Sequence, residues 1–279
     1  METVAIVGVG LIGGSFGLAL RQAGFRGRIL GVSSPPAVRD ALARGAIDEA
    51  LPLEPAVEQA DLVYLAQPIS RILDTLPRLE GRLRPGALVT DAGSTKAAIV
   101  AEAHRSVRSA QFLGGHPMAG KETRGAAEAE PALFTGRTYA LTPRSPDELE
   151  TPPARDFIAW VRAIGAIPVT VAPDEHDRIA AFTSHLPQLL STALASTLTR
   201  AAGDLRIAGP GLADALRLAA SSYEVWGDIL DTNAAAIDAA LARFIAQLET
   251  IRARLGVPGA LKTEFEQANQ LAARLRRSR

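Results

Sequence analysis

The chain has 279 residues, with 47% hydrophobic and 22% charged, a length that suggests two globular domains. Its 30 Lys and Arg balance its 30 Asp and Glu, so the charge gives no support to a nucleic-acid partner. It has no cysteine, which excludes disulfides, thiolate metal sites and cysteine nucleophiles.

No apolar run reaches the length of a membrane span, so no membrane partner is expected. The N-terminus lacks the basic segment of a signal peptide, and a cytoplasmic location is the default expectation. The first strand is Val4-Ala5-Ile6-Val7. The turn Gly8-Val-Gly-Leu-Ile-Gly-Gly-Ser15 follows, and a helix runs on from it. Strand, glycine turn, helix is the setting that a dinucleotide-binding fingerprint requires. Gly8 permits the turn, Gly10 lets a pyrophosphate approach the backbone, and Gly13 lets the helix pack on the strand. The N–H groups at the helix start, those of Leu11 and Ile12, point at the phosphates.

The second strand, Arg28 to Val32, leads into Ser33-Ser34-Pro35-Pro36. In folds selective for NAD an acidic residue ends this strand and binds the ribose 2′-hydroxyl. None stands here. The two serines read equally as a 2′-phosphate or 2′-hydroxyl site and as a plain turn, so the cofactor is NAD or NADP. A short strand or turn at 45 to 49 is followed by the buried strand Asp61 to Ala66. Its end, Gln67-Pro68, faces the cofactor crevice of an open sheet. After a helix near 69 to 80, strand Ala87 to Asp91 ends in Ala92-Gly93-Ser94-Thr95-Lys96. Strand Gln111 to Gly115 ends in His116-Pro117. Two further strands, Arg137 to Thr142 and Ile167 to Val171, flank a helix at Ala154 to Ala163.

Beyond Pro173 the pattern is helical: 174 to 202 with Gly203 as a stop, Pro210 to Ala220, a helix restarted by a capping box at Ser221 to Glu224, an alanine-rich helix capped by Asn233, and a last one from Glu264 to Arg277. The fold class is therefore α/β: a Rossmann-type dinucleotide-binding domain over 1–171, then an all-α domain over 172–279. Alanine-faced helices of this length pair between subunits, which points to a homodimer.

Four histidines are present. His104 shares a helix with Arg105 and reads as exposed. His116 lies just past a strand end, where an open sheet places its ligand crevice, and can take a proton near neutral pH. His185, in Phe182-Thr-Ser-His-Leu-Pro187, reads equally as a core residue and as a site residue. His176 is nine residues earlier, on the opposite face of an unbroken helix, so the two share a site only if the helix bends or a second subunit contributes. Ser94 reads as facing the crevice, and Ser94 or Thr95 reads equally as a cap of the helix behind it. Asp214 and Arg217 stand three apart on a helix, and the guanidinium fork suits a carboxylate. No histidine–carboxylate spacing suggests a metal.

The segments GVGLIGGS at 8–15, DAGSTK at 91–96, GGHPMAGKE at 114–122, SHLP at 184–187 and RLAASSYEVWGDI at 217–229 together resemble the prephenate and arogenate dehydrogenases. They keep the family's order and span nearly the whole chain. The resemblance implies oxidative decarboxylation of prephenate to 4-hydroxyphenylpyruvate in tyrosine biosynthesis, with hydride passing to NAD or NADP; arogenate is the alternative substrate. It implies that His116 bonds the ring hydroxyl and that Ser94 stands between that hydroxyl and the nicotinamide. It implies that Arg217 grips a carboxylate, with Glu122 and Asp214 beside it at the entrance. It places His185 near the substrate and Trp226 beside the pocket, and His176 also aligns with a family histidine. Three departures bear on preference: Gln188 where a second histidine often stands, Ser222-Tyr223 in place of Asp-Pro, and the missing acid after the second strand. Glu122 or Gln188 would then set the choice between substrates. Neither a fused mutase domain nor a regulatory domain is expected. The rival readings are a 3-hydroxyacid or imine reductase, which usually carries a lysine in the helical domain, and a cofactor-sensing protein without catalysis.

Overall fold

The computed structural model describes residues 1–121, 123–201 and 205–277. Glu122 and Gly203, both singled out above, lie outside the described residues. The first part alternates β1 (Thr3–Val7), α1 (Leu11–Gln22), β2 (Arg28–Val32), α2 (Pro35–Ala43), β3 (Glu49–Ala50), α3 (Leu53–Val57), β4 (Leu62–Leu65), α4 (Ile69–Leu79), β5 (Leu88–Asp91), α5 (Ala97–Ser106) and β6 (Gln111–Pro117). Then come β7 (Thr138–Thr142), α6 (Pro152–Ala163) and β8 (Ile167–Thr170). The strands form one sheet in the order β3-β2-β1-β4-β5-β6-β7-β8. Pairing is parallel from β3 to β6, β7 runs antiparallel to β6, and β8 is parallel to β7. The order reverses at β1 and β4, the switch point where open α/β sheets bind ligands.

The continuous apolar runs follow from burial on both faces. Val4, Ile6, Leu62 and Tyr64 enter one core with Phe16 and Phe157. Their neighbours Ala5, Val7, Val63 and Leu65 enter the other with Ile72 and Leu76. Phe16 stacks on Tyr64 with ring centroids 4.0 Å apart, which fixes α1 over β4. Backbone geometry explains two of the turn glycines. Gly8 has φ +98°, and a Cβ there would stand 2.6 Å from the Ala66 carbonyl oxygen. A Cβ on Gly13 would come within 2.0 Å of the Gly8 carbonyl oxygen, so only glycine lets α1 seat on this turn.

The second part is helical: α7 (Pro173–Ala180), a π-helical turn at Ala181–His185, α8 (Leu186–Ala201), α9 (Pro210–Leu216), a 3₁₀ turn at Arg217–Ala220, α10 (Tyr223–Thr232), α11 (Ala234–Arg254) and α12 (Lys262–Arg277). No described helix is long and apolar enough to cross a membrane. Ile245 and Leu248 on α11 and Phe265 and Leu271 on α12 are exposed in the single chain.

Three capping expectations change. The N-cap of α10 is Ser222, whose Oγ accepts from the Glu224 N–H at 3.2 Å, so the cap sits one residue later than the Ser221 box. Asn233 makes no side-chain cap for α11. Its Nδ2 instead donates to the Asp177 carbonyl at 2.8 Å and lies 3.2 Å from His185 Nδ1. Neither Ser94 nor Thr95 caps α5. The Asp177 carboxylate does, accepting from the Lys96 and Ala97 N–H groups at 2.7 and 2.9 Å, so the cap comes from the helical half.

Candidate active site

Two clefts open at the carboxyl ends of the parallel strands, and both are lined by Ala66, Gln67 and Pro68. One, of about 540 Å³, is also lined by Gly8, Gly10, Ser33 and Ser34. A Cβ on Gly10 would meet nothing within 4 Å, and no side chain caps α1. The first N–H groups of α1 therefore stay available to an anion, as a pyrophosphate cradle requires. Arg71 and Arg78 line the same cleft and were not singled out from the sequence. Arg78 is paired with Glu54 at 2.7 Å, and Arg71 lies 3.8 Å from Asp74.

The other cleft, of about 410 Å³, is lined by Leu11 and Ile12 on α1, by Ser94 after β5, and by Ser221, Ser222 and Trp226 of the helical half. Two cations reach it, Lys121 and Arg124, both missed by the sequence reading. Lys121 pairs with Glu130 at 2.7 Å, and Arg124 bridges to Glu224 at 2.6 Å, tying the loop after β6 to α10.

His116, His185 and Arg217 are not among the lining residues of this cleft. His116 is half-buried at the end of β6. Its Nδ1 lies 2.9 Å from His176 Nε2, and His176 Nδ1 lies 2.8 Å from Asp177 Oδ1. Burial holds the His116 ring well below the ordinary histidine range, and the nearby His176, Lys96 and His185 push in the same direction. His185 is buried against Trp226, ring centroids 5.9 Å apart, and burial lowers its pKa to about 4.

The structure therefore brings His176 and His185 to one place, contrary to the opposite faces that an unbroken helix would give. The cause is the π-helical turn at Ala181–His185. At about 100° per residue, nine residues separate the rings by about 180°. The wide turn absorbs one residue and takes back about 100°, leaving roughly 80° between them. His104, expected to be exposed, is partly buried, with Arg144 Nε donating to its Nε2 at 3.4 Å; it lies away from this cluster.

Arg217 opens the 3₁₀ turn and is exposed, as is Asp214, and no Asp214 ion pair occurs among the described residues. Gln188 is buried, and its amide donates to the Leu218 carbonyl at 2.8 Å. That bond fixes the turn carrying Arg217 and leaves Gln188 committed to the backbone. No cluster of three or more potential metal ligands occurs among the described residues.

Beneath the site is a buried ion pair. Lys96 and Asp91 are both fully buried, and Lys96 Nζ donates to Asp91 Oδ2 and, at 2.7 Å, to the Gly115 carbonyl. The Asp91 carboxylate also accepts from the Gly93 and Gly115 N–H groups at 2.8 and 3.1 Å. Burial lowers the Lys96 pKa, and Asp91 partly offsets that. This network anchors the strand end that presents His116.

An open sheet with unpaired helix N–H groups at its switch point, joined to a helical half, is the architecture of two-domain nucleotide-dependent oxidoreductases. Residues 16–163 match the model of the prephenate dehydrogenase nucleotide-binding domain, and residues 172–273 match that of the prephenate dehydrogenase dimerization domain. The chain belongs to the prephenate dehydrogenase family. It is 33% identical over 84% of its length to a prephenate dehydrogenase of Lactococcus lactis, and the match spans 65% of that relative, just under two thirds. The crystal structure of prephenate dehydrogenase from A. aeolicus in complex with hydroxyphenyl propionate and NAD+ superposes with a TM-score of 0.88 at 29% identity, covering 99% of this chain and 98% of that one. Synechocystis arogenate dehydrogenase gives a TM-score of 0.82 at 29% identity, covering 98% and 99%.

Proposed function

We propose that this chain oxidises prephenate, with loss of carbon dioxide, to 4-hydroxyphenylpyruvate in tyrosine biosynthesis. The observation that carries the reading is His116, a partly exposed histidine whose pKa burial lowers, at the end of β6 against His176 of the helical half, with the loop after β6 lining one of the two clefts that share Gln67 and Pro68. Gly8, Gly10, Leu11 and Ile12 would hold the pyrophosphate of a nicotinamide dinucleotide on the turn that Gly13 lets α1 seat on, and Gln67 and Pro68 would border it. When bound, that cofactor supplies the hydride acceptor. Ser33 and Ser34 border the same cleft with no acid at the end of β2, and Arg71, Arg78 and Asp74 line it further out, which suits a ribose 2′-phosphate as well as a 2′-hydroxyl, so NADP stands beside NAD.

His116 takes the proton of the ring hydroxyl as the carbonyl forms, and Ser94 orients that oxygen. Trp226 borders the cleft, and His185 packs against it. Arg217, four residues before Ser221 at the cleft, grips a carboxylate with its fork. Arginine at this position acts mainly on binding. Arg217→Ala is expected to raise KM for the substrate about tenfold or more, with kcat within a few-fold of native in steady-state assays. An unchanged KM removes Arg217 from this role.

Arogenate is the second reading, supported by the likeness to the Synechocystis enzyme. It differs from prephenate in an amino group on the side chain, and Glu122 would set the preference directly, with Gln188 acting only through the turn it holds beside Arg217. The test is a four-way assay of the purified chain, each substrate with each nicotinamide dinucleotide, following reduced nicotinamide by absorbance. Turnover of prephenate above arogenate supports the proposal, and no turnover of either defeats it. The same reading divides the chain after residue 171, places it in the cytoplasm and makes it a homodimer. The apolar side chains exposed on α11 and α12 support the dimer.

A further inference from the structure

We propose that Asp177 and His176 are positioning residues that fix which ring nitrogen of His116 carries the proton, and so make its Nε2 the base. This deepens the reading of His116 given above and rests on it for the chemistry, though not for the geometry.

The argument begins at the carboxylate, which only accepts. Asp177 Oδ1 lies 2.8 Å from His176 Nδ1, so the hydrogen between them sits on the imidazole. A neutral His176 then has a lone pair on Nε2. That atom is 2.9 Å from His116 Nδ1, so the hydrogen in this second bond belongs to His116. With its one proton on Nδ1, a neutral His116 has its lone pair on Nε2. As a proton arrives there, the chain Asp177–His176–His116 gives the new positive charge an oriented acceptor. The charged and titratable groups facing His116 are His176 from α7, His185 from the π-helical turn and Lys96, which precedes α5, and Asp177 acts on it through His176.

The same carboxylate caps α5. Its two oxygens take the Lys96 and Ala97 N–H groups, and those belong to the nucleotide-binding half. The Asp177 carbonyl in turn accepts from Asn233 Nδ2. Asp177 is thus held from both halves, and the relay is complete only when α7 is docked against α5. The carboxylate that orients His176 is thus also the one that joins α7 to α5.

The experiment reads the imidazole nitrogens directly. With only four histidines in the chain, nitrogen-15 labelling of histidine resolves each ring by NMR without substrate. In the native protein His116 is expected to show a protonated Nδ1 and an unprotonated Nε2. His176→Leu removes the acceptor but leaves Asp177 free to cap α5. It is expected to mix the two tautomers of His116 and to lower kcat at least tenfold, with KM within about threefold. His176→Gln, whose side-chain oxygen can accept from Nδ1, is expected to recover most of both readouts. Asp177→Asn is expected to mix the tautomers of His176 and His116 and to move the acid limb of the kcat/KM profile to lower pH. A purely structural role for Asp177 would lower the amplitude without moving that limb. A native His116 protonated on Nε2, or an unchanged His116 signature in His176→Leu, overturns the proposal. Because the NMR readout needs no substrate, the relay can stand even if prephenate proves to be the wrong substrate.

Discussion

His116→Asn is expected to lower kcat by about a hundredfold or more while leaving KM for substrate and cofactor within a few-fold. The size follows from the task. A positioned general base contributes roughly two to four powers of ten, and asparagine keeps a polar side chain of similar size but takes no proton. The native enzyme should also show where that base titrates. Burial and the neighbouring His176, Lys96 and His185 hold His116 well below its ordinary range, so its proton-accepting form persists into acid. The sign is that kcat/KM falls only as pH drops through this lowered value. The acid limb is therefore expected below about pH 6.5, the unperturbed histidine pKa. Steady-state rates from pH 5 to 9, on native protein and His116→Asn, measure both expectations. Near-native turnover in the variant, or a native limb at or above the ordinary histidine value, would remove His116 from the role of base.

The parts of this molecule that were legible in the sequence are those governed by local rules. Strand, glycine turn and helix were readable from Val4 to Arg21 because the hydrophobic period and the glycine spacing are both local. The positions of Ser94 after β5 and His116 at the end of β6 followed from strand ends in an open sheet. What escaped the reading is tertiary. Asp177 is adjacent in sequence to His176, but the helix it caps begins some 80 residues earlier. No pattern around Asn233 announces that it turns away from its own helix toward Asp177 and His185. The π-helical turn defeated the helical-wheel argument for His176 and His185, since the face of every later residue depends on one absorbed position. Lys96 was passed over as part of a cap, although Asp91 and Lys96 flank the turn Ala92-Gly-Ser-Thr95 and could have been paired on sequence alone. Burial decides that case, and burial cannot be read from a turn.

Lys96 carries the second large expectation, Lys96→Met. Methionine nearly keeps the volume and removes the ammonium, which leaves the Asp91 carboxylate fully buried with only backbone donors. Removing one partner of a buried ion pair costs about 3–5 kcal/mol, because the remaining charge has neither water nor counter-charge. Urea unfolding of the native and variant proteins measures this as a fall in midpoint at similar slope. Asp91→Asn combined with Lys96→Met should recover more than half of the loss, since no unpaired charge is then buried. Activity should respond as well. Lys96 Nζ donates to the Gly115 carbonyl, the residue before His116, and Asp91 accepts from the Gly115 N–H. Both backbone groups of Gly115 are thus held by the pair, and so is the strand end that aims the imidazole. Lys96→Met is therefore expected to lower kcat under conditions where the variant is fully folded, and the double variant should regain stability before it regains rate. A single variant within about 1 kcal/mol of native stability would show that the pair is not what holds this strand end.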